Sequence, residues 1–85
     1  MKTLTIKPFD QDYQALPKTI QDLVDRKLKI FLQNAYHPSL RIKKMKDPRE
    51  IWEGRITKSY HFTFQIREDI YILRRVGTHD ILKTP

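Results

Sequence analysis

The clearest hydrophobic pattern in the chain is an alternation of apolar and polar residues between positions 50 and 76. It is most regular in one stretch, whose apolar residues are Tyr60, Phe62, Phe64 and Ile66. A period of two places successive side chains on opposite faces of a sheet. We therefore expect flanking strands over 50–56 and 70–76. Together the three strands predict a meander that buries one face and leaves the other open.

The polar positions of this meander define the open face. In the strand over 50–56, Trp52 and Ile56 are expected to face the core, with Glu53 and Arg55 on the opposite side. In the next strand His61 takes the outward position, beside Thr63, Gln65 and Arg67. A regular hairpin register then brings Glu53, Arg55 and His61 to one exposed surface.

The residues before the meander predict an edge strand followed by two helices. Residues 3–6 alternate and are closed by Pro8, which is typical of a short edge strand. Apolar residues spaced four and three apart predict a short helix over 9–16. Pro17 ends that helix and favours the start of a longer one. The apolar positions of the longer helix recur at three and four, at Ile20, Leu23, Val24, Leu28, Phe31, Leu32 and Ala35.

The order of these elements predicts the fold class. Residues 40–46 are consistent with one further strand at an edge, and Gly77 permits a change of direction after the last strand. Too few residues follow Gly77 for a third helix. We expect an α+β fold with an N-terminal strand, in which an antiparallel two-helix hairpin packs on a mainly antiparallel sheet of four or five strands.

Length and charge limit the classes of function. The 85 residues carry a formal charge of +7, and the length predicts one domain over 1–85 with a modest core rather than a deep, enclosed active site. The charge favours polyanionic partners, either nucleic acid or an acidic protein. Without cysteine the chain has no disulfide or thiolate metal site. No segment is apolar enough for a signal peptide or a membrane span, so we expect a soluble, cytoplasmic protein.

Most of the excess positive charge lies in residues 41–85. A dense basic run before the meander, with Asp47 as its one acidic residue, consists of Arg41, Lys43, Lys44, Lys46 and Arg49. Such a run either protects a strand edge from aggregation or binds RNA phosphates. Arg75, in the last strand, is a further candidate for RNA binding.

The histidines are the candidates for chemistry. His37, His61 and His79 lack metal-ligand spacing, and no glycine-rich phosphate loop is present, so we expect no metal and no cofactor. His79 can transfer protons near neutral pH, with Asp80 or a backbone carbonyl fixing its tautomer. An ordinary surface histidine is the alternative. Arg55 can hold a phosphate, while Glu53 is either a base or an ion-pair partner of Arg55.

Several short motifs resemble the RelE/ParE superfamily of bacterial type II toxins. In chain order they are Leu16-Pro17, His37-Pro38-Ser39-Leu40-Arg41, Trp52-Glu53-Gly54-Arg55-Ile56, Tyr60-His61-Phe62 and Val76-Gly77-Thr78-His79-Asp80. The likeness covers essentially the whole chain. Its terminal Gly-Thr-His resembles the YafQ-like branch in particular.

The resemblance implies a microbial-RNase-like α+β fold and a toxin neutralised by a cognate acidic antitoxin. RelE-like members cut mRNA on the ribosome without a metal, by attack of a ribose 2′-hydroxyl on the adjacent phosphate. His79 matches the terminal catalytic residue, and Arg55 matches a residue that stabilises phosphate charge. His61 stands where many members carry arginine, which makes it a second acid-base candidate and a weaker phosphate ligand. Ile81-Leu82-Lys83 stands where several members carry an aromatic residue.

These inferences predict a ribosome-dependent mRNA endonuclease toxin. Two alternatives stay open from the sequence. One is a ParE-like protein that inhibits DNA gyrase by binding, and the other is a degenerate member that only binds its antitoxin. The face that carries the histidines favours the nuclease. The absence of an arginine at position 61 and of an aromatic residue over 81–83 leaves the two alternatives open.

Overall fold

The computed structural model describes residues 2–85, and these residues form five strands, two α-helices and two 3-10 turns. In chain order the elements are β1 (Lys2–Thr5), α1 (Lys7–Ala15), α2 (Lys18–Gln33), the 3-10 turn Pro38–Leu40, β2 (Lys43–Lys44), β3 (Trp52–Arg55), β4 (Tyr60–Arg67), β5 (Ile70–Thr78) and the 3-10 turn His79–Leu82. The predicted fold class, α+β with a two-helix hairpin on one sheet, is confirmed.

The described strands form one sheet in the order β1-β5-β4-β3-β2. β1 lies at an edge, as predicted, and pairs in parallel with β5, whereas all other neighbours are antiparallel. The chain can make the parallel pair because α1 and α2 separate β1 from the meander and pack on one side of it. The result is a mixed sheet with mainly antiparallel pairing.

The proline positions explain where the helices begin. β1 ends at Thr5, and Pro8 lies in the first turn of α1, which starts earlier than expected. Proline is accepted there because the first N–H groups of a helix have no partner within it. Pro17 immediately precedes α2 and is its N-cap residue, so the predicted helix junction is confirmed.

The core lies between the helices and one face of the sheet. Phe31 of α2 is at its centre, with its ring centroid 5.3 Å from that of Phe62, 4.8 Å from that of Phe64 and 4.4 Å from that of Tyr71. The contacts with Phe62 and Phe64 are edge-on, an arrangement that contributes about 0.5–1.5 kcal/mol per pair beyond the buried area. The alternation predicted for β4 therefore places its aromatic residues as expected.

The basic segment, residues 41–49, differs from the strand predicted over 40–46. Only Lys43–Lys44 of the expected strand over 40–46 pairs with a neighbour. Pro38–Leu40 forms a 3-10 turn, and Arg41 follows it with a left-handed φ of 46°. A strand needs extended dihedral angles at every position, so a left-handed residue at 41 delays its start. Leu40 is fully buried in the core instead.

The face of the sheet opposite the helices is open only at one end. The turn His79–Leu82 packs against β4 and β5, and Thr63 and Gln65, predicted to face outward, are buried. The register between β4 and β5 also shifts after Thr63, so that Arg74 is an extra residue in β5. β5 runs through Gly77 to Thr78, and the chain changes direction at His79.

Candidate active site

Strand pairing aligns the candidate residues at the open end of the sheet. Arg55 of β3 lies directly opposite His61 of β4, and His61 lies opposite Gly77 of β5. Directly opposite residues of antiparallel strands project to the same face. Gly77 has no side chain on this face, and a Cβ atom there would come within 3.0 Å of the Cγ2 atom of Ile81. The absence of a side chain lets the turn His79–Leu82 return over β5.

The structure brings the imidazoles of His61 and His79 together. Their ring centroids are 5.5 Å apart and the rings are nearly perpendicular, with an interplanar angle of 86°. His79 is exposed at the start of its 3-10 turn, whereas His61 is half-buried between neighbouring strands. One small substrate group can therefore be contacted by both rings.

The surroundings of His61 favour its neutral form. Burial lowers the pKa of His61 below the ordinary value of 6.5, and the positive charges of His79 and Arg55 lower it further. Glu53 acts in the opposite direction on this pKa. Burial removes water from the charged imidazolium, and nearby cations repel it. A neutral imidazole at pH 7 is able to accept a proton.

A cleft of about 370 Å³ adjoins His61. Its walls come from the basic segment, β3 and β4, and they consist of Arg41, Ile42, Lys43, Glu53, Gly54, Arg55 and His61. Glu53 forms an ion pair with Lys43, at 3.4 Å, rather than with Arg55. Among residues 2–85 no carboxylate lies within ion-pair distance of Arg55, so its guanidinium is available to an anion in this cleft.

The Phe62 ring lies over the backbone of β3 because position 54 is glycine. Gly54 lies opposite Phe62, on the helix-facing side, and a Cβ atom at position 54 would be 2.4 Å from the Phe62 ring. The absence of a side chain at Gly54 gives the Phe62 ring its room in the core. Gly54 thus links the packing of the core to the strand that carries Glu53 and Arg55.

The other predicted RNA-binding residues lie outside this cleft. Lys44 pairs with Glu50 at 3.5 Å and has its Nζ 5.9 Å above the Trp52 ring. Arg49 donates to both carboxylate oxygens of Asp47, at 3.0 and 2.8 Å, and these hydrogen bonds lower the pKa of Asp47 to about 2. Lys46 is exposed between them. Their binding of RNA stays a prediction.

Two predicted residues near His79 have different surroundings. Asp80 is exposed on the same 3-10 turn, and its role in fixing the His79 tautomer stays a prediction. Arg75 donates its Nε–H to Asp12 of α1 at 2.7 Å, a contact between residues far apart in the chain. Nothing in the local sequence pattern around Asp12 or Arg75 could have indicated this contact between them.

A second groove lies on the helix-facing side of the sheet, beyond the end of α2. It has a volume of about 350 Å³ and is lined by Ala35, Tyr36, His37, Pro38, Arg41, Ile42, Trp52, Phe64, Ile66 and Tyr71. Tyr36 is 94 % exposed at its rim. Arg41 and Ile42 belong to the walls of both this Tyr36 groove and the His61 cleft. Sequence reasoning assigned Tyr36 and Ile42 no role.

Within residues 2–85, no cluster of three or more His, Cys, Asp or Glu side chains is arranged to hold a metal ion. No helix in the described part of the chain is long and apolar enough to cross a bilayer. The third histidine, His37, caps the turn Pro38–Leu40, because its Nδ1 accepts the N–H of Ser39 at 3.2 Å.

No protein-family model matches the sequence, and no curated protein matches it. Solved structures do match the fold. YafQ from E. coli strain BL21(DE3) superposes with a TM-score of 0.78 and 9% identity, over 95% of this chain and 96% of that one. The RelB-RelE antitoxin-toxin complex from Methanococcus jannaschii gives a TM-score of 0.75 and 23% identity, over 95% of each chain.

The YoeB/ParE toxin from Agrobacterium tumefaciens gives a TM-score of 0.77 and 14% identity, over 93% of this chain and 99% of that one. These matches extend over nearly the full length of every chain compared, so the likeness includes the helical hairpin as well as the sheet. The resemblance indicated by the sequence motifs is thereby confirmed at the level of the fold. The chain has the fold of the RelE/ParE superfamily toxins.

Proposed function

We propose that the protein is the toxin of a type II toxin-antitoxin pair and cuts mRNA on the ribosome by acid-base chemistry. The observation that carries this proposal is the pair of imidazoles, His61 and His79, with ring centroids 5.5 Å apart beside a cationic cleft. RNA cleavage needs a base for the 2′-hydroxyl and an acid for the leaving oxygen. Two adjacent histidines can supply both.

The different exposure of the two rings supports a separate role for each. His61, whose pKa is lowered by burial, takes the proton from the ribose 2′-hydroxyl. The 2′-oxygen then forms a bond to phosphorus while the bond from phosphorus to the 5′-oxygen breaks. The exposed His79 gives a proton to that leaving oxygen. The products are a 2′,3′-cyclic phosphate and a 5′-hydroxyl, and the protons balance between the two rings.

Arg55 binds the scissile phosphate and stabilises its charge. It is paired across the sheet with His61, and its guanidinium projects to the face on which the reaction takes place. A fixed guanidinium stabilises the negative charge that develops on the phosphorane oxygens. Glu53, held by Lys43 at 3.4 Å, has the secondary role of opposing the positive charge around His61.

The exposed basic residues extend the site along the RNA backbone. Arg41 and Lys43 lie at the cleft, and Lys44, Lys46 and Arg49 continue the positive surface toward the loop before β3. Contacts of this kind release counterions, so binding of RNA or of the ribosome weakens steeply with added salt. They position the substrate and supply no chemistry.

The partner that holds the toxin inactive is a cognate acidic antitoxin. Two of the similar structures are complexes with antitoxins, RelB-RelE and DinJ-YafQ. The charge of +7 favours an acidic partner, and the Tyr36 groove provides apolar anchorage beside Arg41. Co-expression of the acidic product of a neighbouring reading frame is expected to restore growth that the toxin alone arrests.

Induced expression followed by primer extension on cellular mRNA tests the activity. The wild-type protein should arrest growth and give cuts in phase with codons. His79→Ala should reduce cleavage by on the order of 100-fold or more, because the acid is lost. The urea-unfolding curve should hardly change, since the His79 side chain is exposed.

Lys18→Ala is the matched control, because it removes an exposed ion pair with Asp22 far along the chain from the histidines. It should leave both cleavage and growth arrest unchanged. Full cleavage by His79→Ala would reject the proton-transfer role. Intact mRNA together with trapped or broken DNA would indicate gyrase inhibition instead, and the absence of any arrest would indicate a protein that only binds its antitoxin.

A further inference from the structure

The placement of His79 depends on a segment that local secondary structure holds only weakly. His79 begins a single 3-10 turn, His79–Leu82, and the residues after it form no regular element. Within the segment, the N–H of Lys83 donates to the carbonyl of Asp80 at 3.1 Å, and the N–H of Thr84 donates to the carbonyl of Ile81 at 3.2 Å. One such turn has little stability of its own. Other contacts must fix the imidazole.

Arg75 makes side-chain hydrogen bonds to the end of this segment. Its Nη1–H donates to the backbone carbonyl of Thr84 at 2.9 Å and to the Thr84 hydroxyl at 3.2 Å. The same guanidinium donates from Nε to one oxygen of Asp12 at 2.7 Å, and from Nη2 to the other at 3.2 Å. A planar guanidinium can make all of these contacts at once, because its donors point in fixed, different directions.

Asp12 is itself held to β5 through the backbone. Its carboxylate accepts the N–H of Val76 at 3.2 Å, in the part of β5 that extends past the pairing with β1. Asp12 therefore satisfies a backbone donor at the strand edge and orients Arg75 in the same place. Both side chains are largely shielded, with 27% and 20% of the Arg75 and Asp12 side chains exposed. Charge-assisted hydrogen bonds in such surroundings are stronger than exposed ion pairs.

The irregularity in β5 brings a second arginine to the same segment. Arg74, the extra residue opposite the junction of Thr63 and Phe64, donates to the side chain of Gln65 at 3.0 Å and approaches the carbonyl of Pro85 at 3.5 Å. A bulge changes the direction of side chains that a regular strand would send to opposite faces. Two successive arginines can therefore both reach residues 84–85.

The segment from His79 to Thr84, held by Arg75, in turn positions the His79 imidazole. Ile81 is buried, with 5% of its surface exposed, and lies over Gly77, the residue opposite His61. Fixing Thr84 at one end of this segment and Thr78 in β5 at the other leaves residues 79–83 with few alternative paths. We propose that Asp12 and Arg75 are positioning residues that hold the His79 imidazole beside His61. The inference rests on the proposed nuclease function for its catalytic consequence, and on geometry alone for the placement of the ring.

The variant that separates positioning from folding is Arg75→Lys. A lysine keeps a positive charge beside Asp12, but its single ammonium group cannot contact both Asp12 and Thr84 as the guanidinium does. We expect the protein to fold and His79 to lose its fixed position. The nuclear Overhauser contact between the rings of His61 and His79 should disappear. The pKa of His61 should rise toward 6.5, because His79 no longer lowers it.

Catalysis supplies the second readout. In a ribosome-programmed cleavage assay, Arg75→Lys should lower kcat by on the order of 10- to 100-fold with KM little changed, as expected when a catalytic group is misplaced while substrate binding is retained. An additional rise in KM would instead indicate that Arg75 contacts RNA directly. Lys18→Ala, which removes an exposed ion pair at 2.7 Å, should leave both the ring contact and kcat unchanged.

Asp12→Asn is a second variant that keeps the shape of the carboxylate, and it should act in the same direction with a smaller loss. A retained ring contact with unchanged kcat in both variants would overturn the inference. A lost ring contact that leaves kcat unchanged would support the placement of His79 by Asp12 and Arg75 but would reject the proposed catalytic role of His79. If the wild-type protein cleaves no RNA, the proposed function fails. The ring contact then still decides whether Asp12 and Arg75 place His79.

Discussion

Alternate residues of β4 form two faces with different roles. One face packs in the core, and the other borders the His61 cleft. On the helix-facing side Phe62 and Phe64 are fully buried against Phe31. On the other side His61 remains accessible beside a cleft. In a chain of 85 residues the apolar area available for a core is small, so one face must supply most of the stability. The opposite face is then free to hold polar groups in a fixed arrangement.

The largest effect that separates the two faces should come from Phe62→Ala. Removing a fully buried aromatic ring in contact with Phe31 should lower the free energy of unfolding by about 3–5 kcal/mol. The adjacent His61→Ala should cost about 1 kcal/mol or less, since that ring is half-buried and at the rim of a cleft. Urea unfolding followed by circular dichroism measures both. Equal losses of unfolding free energy in the two variants would contradict the view that the helix-facing side of β4 supplies most of the stability.

A smaller effect should distinguish the two glycines. Gly54→Ala places a methyl group 2.4 Å from the Phe62 ring, in the core, and should cost about 1–3 kcal/mol by overpacking. Gly77→Ala places it 3.0 Å from Ile81, in the segment after β5, where a shift of a few tenths of an ångström removes the clash. Gly54→Ala should therefore lower the thermal midpoint more. A reversed order would mean that the open face is the more tightly packed one.

Much of the fold could be predicted because its signals are local. The spacing of apolar residues in α2 and the alternation in β4 each follow from which side chains one element buries. The pairing of Arg55 with His61 could also be predicted, because the register stays regular between them and breaks only after Thr63. The alternation of β4 continues through this break, whereas in β5 the extra residue changes the parity, so that Leu73 and Val76, three residues apart, both lie in the core.

The parts that sequence did not predict depend on contacts between distant segments. Thr63 and Gln65 alternate like exposed residues, yet the turn His79–Leu82 packs against their strand and they are buried. The pairing of Asp12 with Arg75 joins α1 to β5 across most of the chain, and no local pattern carries it. The contact between His61 and His79 could be postulated only from a requirement of the chemistry, since a turn separates His79 from the strand.

The smallest expected effect concerns pH. The pKa of His61 is lowered below 6.5, mainly by burial and then by His79, so the folded protein binds fewer protons at this site than the unfolded chain. The free energy of unfolding therefore decreases as pH falls from about 6.5 to the pKa of His61 in the folded protein. Below that folded-state pKa, His61 causes no further decrease. Asp47, with a pKa lowered from 3.8 to about 2, loses its contribution only at a much more acidic pH.

This effect is measured by urea unfolding at about pH 7.5 and about pH 5.5, where the His61 contribution should lower the wild-type stability at the acidic condition. In His61→Gln that contribution is absent, so the loss on acidification should be smaller, while His37 and His79 remain in both proteins. His79→Ala should also reduce the loss, because its charge is the second cause of the lowered pKa of His61. Equal losses in the wild-type protein and His61→Gln would mean that the half-buried imidazole is as well solvated as an exposed one. The open face would then lack the environment on which the proposed role of His61 as a base depends.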